Sequence, residues 1–326
     1  MRSAGSAANA RTSTPARPRK LLRWLVPVGL GLLQAVTWGM LLRGGLSGVL
    51  VWYLLTSLVP LLGLLALVPA ALYAAWKRSL SAALLATLVV SSFAVWPGLW
   101  SLGIAQIRYP VSIEQMQPVA TVRLPSDLPL RVLWGGDRLA TNYHAFYPDQ
   151  RWAYDLAPEP TLAKSLNPSA YGCWGTPVVA PVTARVAQAH DGEPEALPGT
   201  LANLQRPFGN FLSLELESKT YLVLAHLQPG SLLVHDGDSV QEGQPLARCG
   251  NSGHTSEPHI HIHHQRQPLD AEHPGIAEGL PLFFRDHDGA PMPEGGLESE
   301  GERVVAHGAL VHHVGKAAAN LPASAR

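Results

Sequence analysis

Residues 251–264 read Asn-Ser-Gly-His-Thr-Ser-Glu-Pro-His-Ile-His-Ile-His-His, and the second half of that stretch predicts a β-strand. Side chains alternate faces along a strand, so His259, His261 and His263 share one face while His264 points to the other. Three imidazoles on one face beside a Gly-containing turn can gather around a metal ion. A solvated histidine-rich strand is the plainer alternative, and the pattern favours the metal. Upstream, short apolar strings at 111–140, 177–187, 210–216 and 220–226 also read as strands, and Gly230, Gly237, Gly243, Gly250 and Gly253 fall where turns are needed. No helix-period stretch and no long repeat follows residue 110, so this part reads as a mainly antiparallel β-domain.

Further out the composition changes. None of the 24 Asp/Glu precedes Glu114, whereas ten of the 24 Lys/Arg do, so the first part carries +10, the rest −10, and the net zero hides the contrast. All 14 histidines lie in the acidic part, which is where chemistry is expected. An acidic soluble part repels phosphates and excludes a simple nucleic-acid binder. The basic part holds three uncharged runs, 24–42, 46–76 and 79–105. Each is close to or above the roughly 20 residues that cross about 30 Å of hydrocarbon as a helix. One cleaved signal peptide cannot account for three such runs. Basic residues before the first run and at Lys77-Arg78 place the N-terminus and that loop in the cytoplasm, and everything after about Arg108 on the external side. The spans contain no acidic residue, which argues against an ion or substrate path through them. Residues 1–20 read as a disordered basic leader and the last dozen or so as a loose tail. Cys173 and Cys249 both fall in the exported part, where a disulfide is permitted; two unpaired small core residues are the alternative.

Four blocks in order then carry a resemblance: Leu224-Ala-His, Gly237-Asp-Ser-Val-Gln-Glu-Gly-Gln (237–244), Gly250-Asn-Ser-Gly (250–253) and Pro258-His-Ile-His (258–261). Together they resemble the M23 family of lysostaphin/LytM-type zinc metallopeptidases, which cut peptide bonds in bacterial peptidoglycan. The resemblance covers about residues 140–265 and says nothing about the spans. It implies a LytM/M23-like β fold, one Zn²⁺ ion and a peptidoglycan or peptide substrate, while the apolar runs add transmembrane α-helices ahead of that fold and a lipid bilayer as the other partner, and the acidic charge leaves no nucleic acid. It also implies Asp155 and His261 as metal ligands, with His226 and His259 acting on the water and the intermediate. One position departs from the pattern. The family's first ligand is a histidine four residues before the aspartate, and Arg151 stands there. A guanidinium has no lone pair to offer a metal. An Asn-x-His block ahead of Gln-Arg-x-Ala-x-Asp resembles a subset of the family, and it puts His144 forward as the third ligand.

The expected organisation is a leader over 1–20, spans within 21–106, linker and entry strands over 107–139, a peptidase domain over 140–290, and a strand with tail over 291–326. His254 is expected to border the cleft, and His263 and His264 to lie behind the ligands or on the surface. His190, His235, His273, His287, His307, His312 and His313 are expected on the surface. The competing reading is a degenerate, metal-free module that binds or activates another wall hydrolase.

Overall fold

The computed structural model describes residues 21–104, 113–201, 203–301 and 303–315; the expected leader and most of the expected tail lie outside the described residues. Three helices are long and apolar enough to cross a membrane: Leu25–Arg43, Gly45–Lys77 and Ala82–Leu102. Gly44 and Gly45, both at positive φ, separate the first from the second, a backbone region that glycine enters without a Cβ clash. The second is not uniform, because a π-helical turn at Leu54–Leu58 joins its α-helical halves Gly45–Tyr53 and Val59–Lys77. The third ends in a 3₁₀ turn, Trp96–Leu102. A Cβ on Gly63 would come within 2.9 Å of the Ala94 Cβ, so the second and third helices approach closely there, as small residues permit between membrane helices. Trp38, Trp52, Trp96 and Trp100 gather at one end of the bundle, with the Trp52 and Trp100 rings stacked at 5.5 Å.

The rest is β-structure. A nine-stranded sheet runs in the order Leu310–Val311, Leu130–Trp134, Tyr154–Ala157, Ile260–Gln265, Tyr221–Leu227, Asn210–Glu215, Ala184–His190 and Ser239–Val240, with Gly279–Leu280 also pairing with Ile260–Gln265. Every pair in it is antiparallel. The mainly antiparallel expectation holds; outside the main sheet Ala120–Val122 pairs parallel with Leu282–Phe284 and ties the entry segment to the far end of the domain. Leu212, Leu214, Leu222, Leu224, Ile260 and Ile262 fill the core from alternate positions of three adjacent strands. Pro177–Val179 and Pro245–Arg248 pair antiparallel, and at the end of that ladder Cys173 and Cys249 form a disulfide with Cα atoms 5.7 Å apart. His313 corrects the surface expectation: it is buried, 5% exposed, and its neighbourhood is bridged to His287.

Candidate metal centre

The site lies at the middle of the sheet. His261 and Asp155 are direct cross-strand partners on adjacent antiparallel strands, and such pairs hold their Cβ atoms about 5 Å apart on one face. His261 Nδ1 is 2.9 Å from Asp155 Oδ1. The next strand supplies His226, whose φ of +61° is a conformation that non-glycine residues seldom adopt. That bend falls where the register with Asn210–Glu215 shifts, and the His226 amide donates to the Phe208 carbonyl at 3.0 Å instead of continuing the ladder. His259 stands immediately before its strand, with Nε2 3.3 Å from Asp155 Oδ1.

His144 arrives from elsewhere. It sits in a 3₁₀ turn, Tyr143–Phe146, capped by Asn142, and its Nε2 lies 3.5 Å from Asp155 Oδ2. Arg151, at the family's usual ligand position, turns away: its guanidinium donates to Asp137 at 2.9 Å, as does the Trp152 indole at 2.8 Å. Two groups of donors therefore exist among the described residues, His144–Asp155–His261 and His226–His259–His261, each with ligand atoms within 4.8 Å of one another and every member buried.

The hydrogen-bond partners assign the protons. Asn142 donates its amide to the Gly136 and Ala153 carbonyls, so its Oδ1 faces His144 Nδ1 at 2.9 Å and accepts from it. His226 Nδ1 donates to the Ser252 carbonyl at 2.8 Å, and His259 Nδ1 to the Glu257 carbonyl at 2.7 Å. A neutral imidazole carries one proton, so Nε2 of His144 and of His226 presents a lone pair. His261 is set the other way round. The Gln265 amide donates to the Gln267 carbonyl at 2.8 Å, so its Oε1 accepts from His263 Nε2 at 2.9 Å. His263 Nδ1 then accepts from His261 Nε2 at 2.9 Å, and His261 is left with a lone pair on Nδ1, aimed at a carboxylate oxygen. Lone pair facing carboxylate at 2.9 Å repels unless a cation lies between them. His144 Nε2, His261 Nδ1 and the Asp155 carboxylate thus converge as acceptors, which fits a metal ion. The separations of 2.9 and 3.5 Å bracket the ~3.3 Å that two ligand atoms keep around a tetrahedral zinc.

Electrostatics separates the roles. Burial alone would raise Asp155, but the imidazoles of His144 and His259 and a hydrogen bond from His259 hold it well below the usual carboxylate range. Burial lowers His144 to about 3 against the pull of Asp155, and with the neighbouring His259 and His261 it lowers His226 well below 6.5. Burial acts on His259 in the same sense, yet the Asp155 charge and hydrogen bond outweigh it and raise that ring to about 9. His226 is therefore neutral, and in the metal-free chain His259 holds a second proton at neutral pH.

Of the remaining residues, His263 and His264 are both buried, not exposed. His263 stands behind His261, and His264, on the opposite face, bonds Thr220 at 2.7 Å. His254 is half-buried and its amide donates to Pro207, beside the close approach of Gly209 to Ser252, where any Cβ on Gly209 would fall 2.3 Å from a backbone carbon. Three participants escaped the sequence reading. Asn142 was visible only as a motif letter, Gln265 carried no signal, and Tyr143, with its ring 4.0 Å from that of His144, had none beyond its place in the Asn-x-His block.

Three apolar helices precede a central β-sheet whose middle strands bring imidazoles and one carboxylate together. Residues 171–271 match the family model described as Peptidase family M23, so the resemblance read from the motifs holds for the β-domain. The matched stretch contains His226, His259 and His261 and stops short of His144 and Asp155. Among solved structures, the chain is similar to the catalytic domain of the antimicrobial peptidase lysostaphin from Staphylococcus simulans, at 18% identity and a TM-score of 0.26, covering 39% of this chain and 73% of that one. It is similar to a mutant catalytic domain of the prophage-encoded M23 protein EnpA from Enterococcus faecalis at 16% identity and TM-score 0.32, covering 48% and 94%. A peptidase M23 structure from Pseudomonas aeruginosa matches at 17% identity and TM-score 0.28, over 44% of each chain, so less than half of that protein's length is spanned. Among curated proteins, none matches.

Proposed function

We propose that the chain is a membrane-anchored zinc metalloendopeptidase that hydrolyses peptide bonds in peptidoglycan stem peptides or cross-bridges. The observation that carries this reading is the convergence of His144 Nε2, Asp155 and His261 Nδ1 as three acceptors with no proton left to share among them. These three residues hold the ion, rather than the overlapping group His226–His259–His261, because only the first contains an anion to offset the charge of a divalent cation. Bound zinc supplies a water of near-neutral pKa and polarises the scissile carbonyl. Around it, His226 accepts a proton at Nε2, with its ring held by the Ser252 carbonyl, and returns it to the leaving amine. His259 donates Nδ1–H to the Glu257 carbonyl and, as an imidazolium, turns its Nε2–H to the charge that develops on the substrate oxygen. Burial of all five side chains excludes bulk water from these exchanges.

The proposed topology has the N-terminus in the cytoplasm and the peptidase domain outside, where the wall substrate lies. A reporter active only outside the cytoplasm should work when fused after residue 112 and fail in the Lys77-Arg78 loop. The test of the activity is cleavage of a cross-linked muropeptide by the purified full chain, abolished by a chelator and restored by zinc. A chain that carries no zinc and cuts no wall peptide would instead be the degenerate module that binds or activates another hydrolase.

A further inference from the structure

The Gly45 end of the second membrane helix touches the β-domain at three points. Trp52 Nε1 donates to the Phe146 carbonyl at 2.9 Å, and the two rings meet edge to face at 5.8 Å. The Tyr53 hydroxyl donates to the Gly275 carbonyl at 3.0 Å, and the Gly45 amide donates to Glu278 Oε1 at 2.9 Å. Neither docking segment of the β-domain is remote from the metal centre.

Phe146 closes the same four-residue turn that carries His144, and the Tyr147 amide donates back to the His144 carbonyl at 2.8 Å. A single 3₁₀ turn has little stability of its own and needs neighbours to hold it. Asn142 fixes its start; Trp52 fixes its end. Trp52 is itself locked, being only 3% exposed and stacked on Trp100, which in turn meets Trp38 and Trp96. The second segment leads to the opposite side of the site. Glu278 is buried, ion-paired with Arg266, and adjoins Gly279, the partner of Gln265 in the strand that carries His261 and His263. The two segments also meet, since the Gly279 amide donates to the Pro148 carbonyl at 2.7 Å.

The structure assigns to the second membrane helix a role beyond anchoring: through Trp52 and the Glu278 hairpin it positions the turn of His144 against the strand of His261. This rests on the zinc reading for the identity of the ion, whereas the positioning itself concerns only the protein. Trp52 is a positioning residue, since it touches the turn and not the reacting atoms.

The test uses the full chain in lipid nanodiscs. Zinc affinity is read by competition with a chelator, and hydrogen exchange of the Tyr143–Tyr147 segment is read in the metal-free chain. Trp52→Ala should weaken zinc about tenfold or more, the scale seen when groups that orient metal ligands are removed, and should speed exchange at the Tyr147 amide. Trp52→Phe, which keeps an aromatic ring but loses the N–H, should fall between it and the wild type in both readouts. Trp76→Ala, at the other end of the same helix and 74% exposed, should change neither. If Trp52→Ala does not fold, Trp52→Phe alone decides, with faster exchange at Tyr147 as the required result. Zinc affinity within twofold of wild type together with unchanged exchange in the folded Trp52 variants would overturn the inference. A wild-type chain that binds no zinc would sink the proposed function, and the exchange measurement would still judge the positioning.

Discussion

The two sides of the metal centre are built in different ways. On the sheet side, Asp155 and His261 face one another because two antiparallel strands pair in that register, and the backbone ladder fixes their separation. On the turn side, His144 depends on four residues of 3₁₀ helix, one capping asparagine and a tryptophan from the second apolar helix. The sheet side can shift only if the central strands slip, which would turn every core leucine and isoleucine of those strands to the wrong face. The turn side can be displaced by the loss of one hydrogen bond. The contrast predicts that donors fail alike when deleted but that their supports do not.

The largest effect should come from Asp155→Ala or His261→Ala. Each removes a donor the fold cannot replace, and the purified full chain should carry no zinc by metal analysis; stoichiometric zinc in Asp155→Ala would mean that the overlapping group His226–His259–His261 holds it instead, and stoichiometric zinc in His261→Ala would contradict both groups. His226→Ala should keep zinc and lose cleavage by about 10² to 10⁴-fold, the usual contribution of a general acid-base group. Release of the metal by that variant, or a loss smaller than about tenfold, would contradict its role.

The supports come next and sharpen the contrast. Asn142→Ala removes the acceptor that fixes the His144 tautomer, and zinc affinity should fall about 10- to 100-fold. Gln265→Ala removes the far end of the chain through His263, but the strand still holds His261 in register, so its loss should be smaller than that of Asn142→Ala. Equal losses would show that the two sides are not mechanically distinct. The smallest effect on the site should follow reduction of the Cys173–Cys249 bridge. A link between residues 76 apart restrains the unfolded chain, and its loss should lower stability by about 2 to 4 kcal/mol in thermal unfolding while leaving zinc per folded molecule unchanged.

The same contrast explains what could be read from the sequence. The three long apolar helices were legible because uncharged runs of that length rarely form anything else, and the His-x-His strand because its period-two alternation puts His259, His261 and His263 on one face without any tertiary knowledge. The break within the second span was not, since the π-turn at Leu54–Leu58 leaves no mark in a run of apolar letters. The cysteine pairing stayed open because it depends on the ladder between Pro177–Val179 and Pro245–Arg248. The turn side was legible only as a departure from a pattern: Arg151 excluded itself by chemistry, but the path that brings His144 beside Asp155 is set by contacts from far along the chain, Gly279 to Pro148 and Trp52 to Phe146. The burial of His263 and its place behind His261 likewise depend on Gln265 and on the neighbouring strands.

The turn side is therefore the more easily displaced, and the zinc content of His144→Ala tests it directly. The full chain, purified at neutral pH without chelator, should hold one zinc per molecule, and His144→Ala should hold none while Arg151→Ala, whose guanidinium rests on Asp137, keeps it. Stoichiometric zinc in folded His144→Ala would contradict the assignment and make His254 the next donor to test.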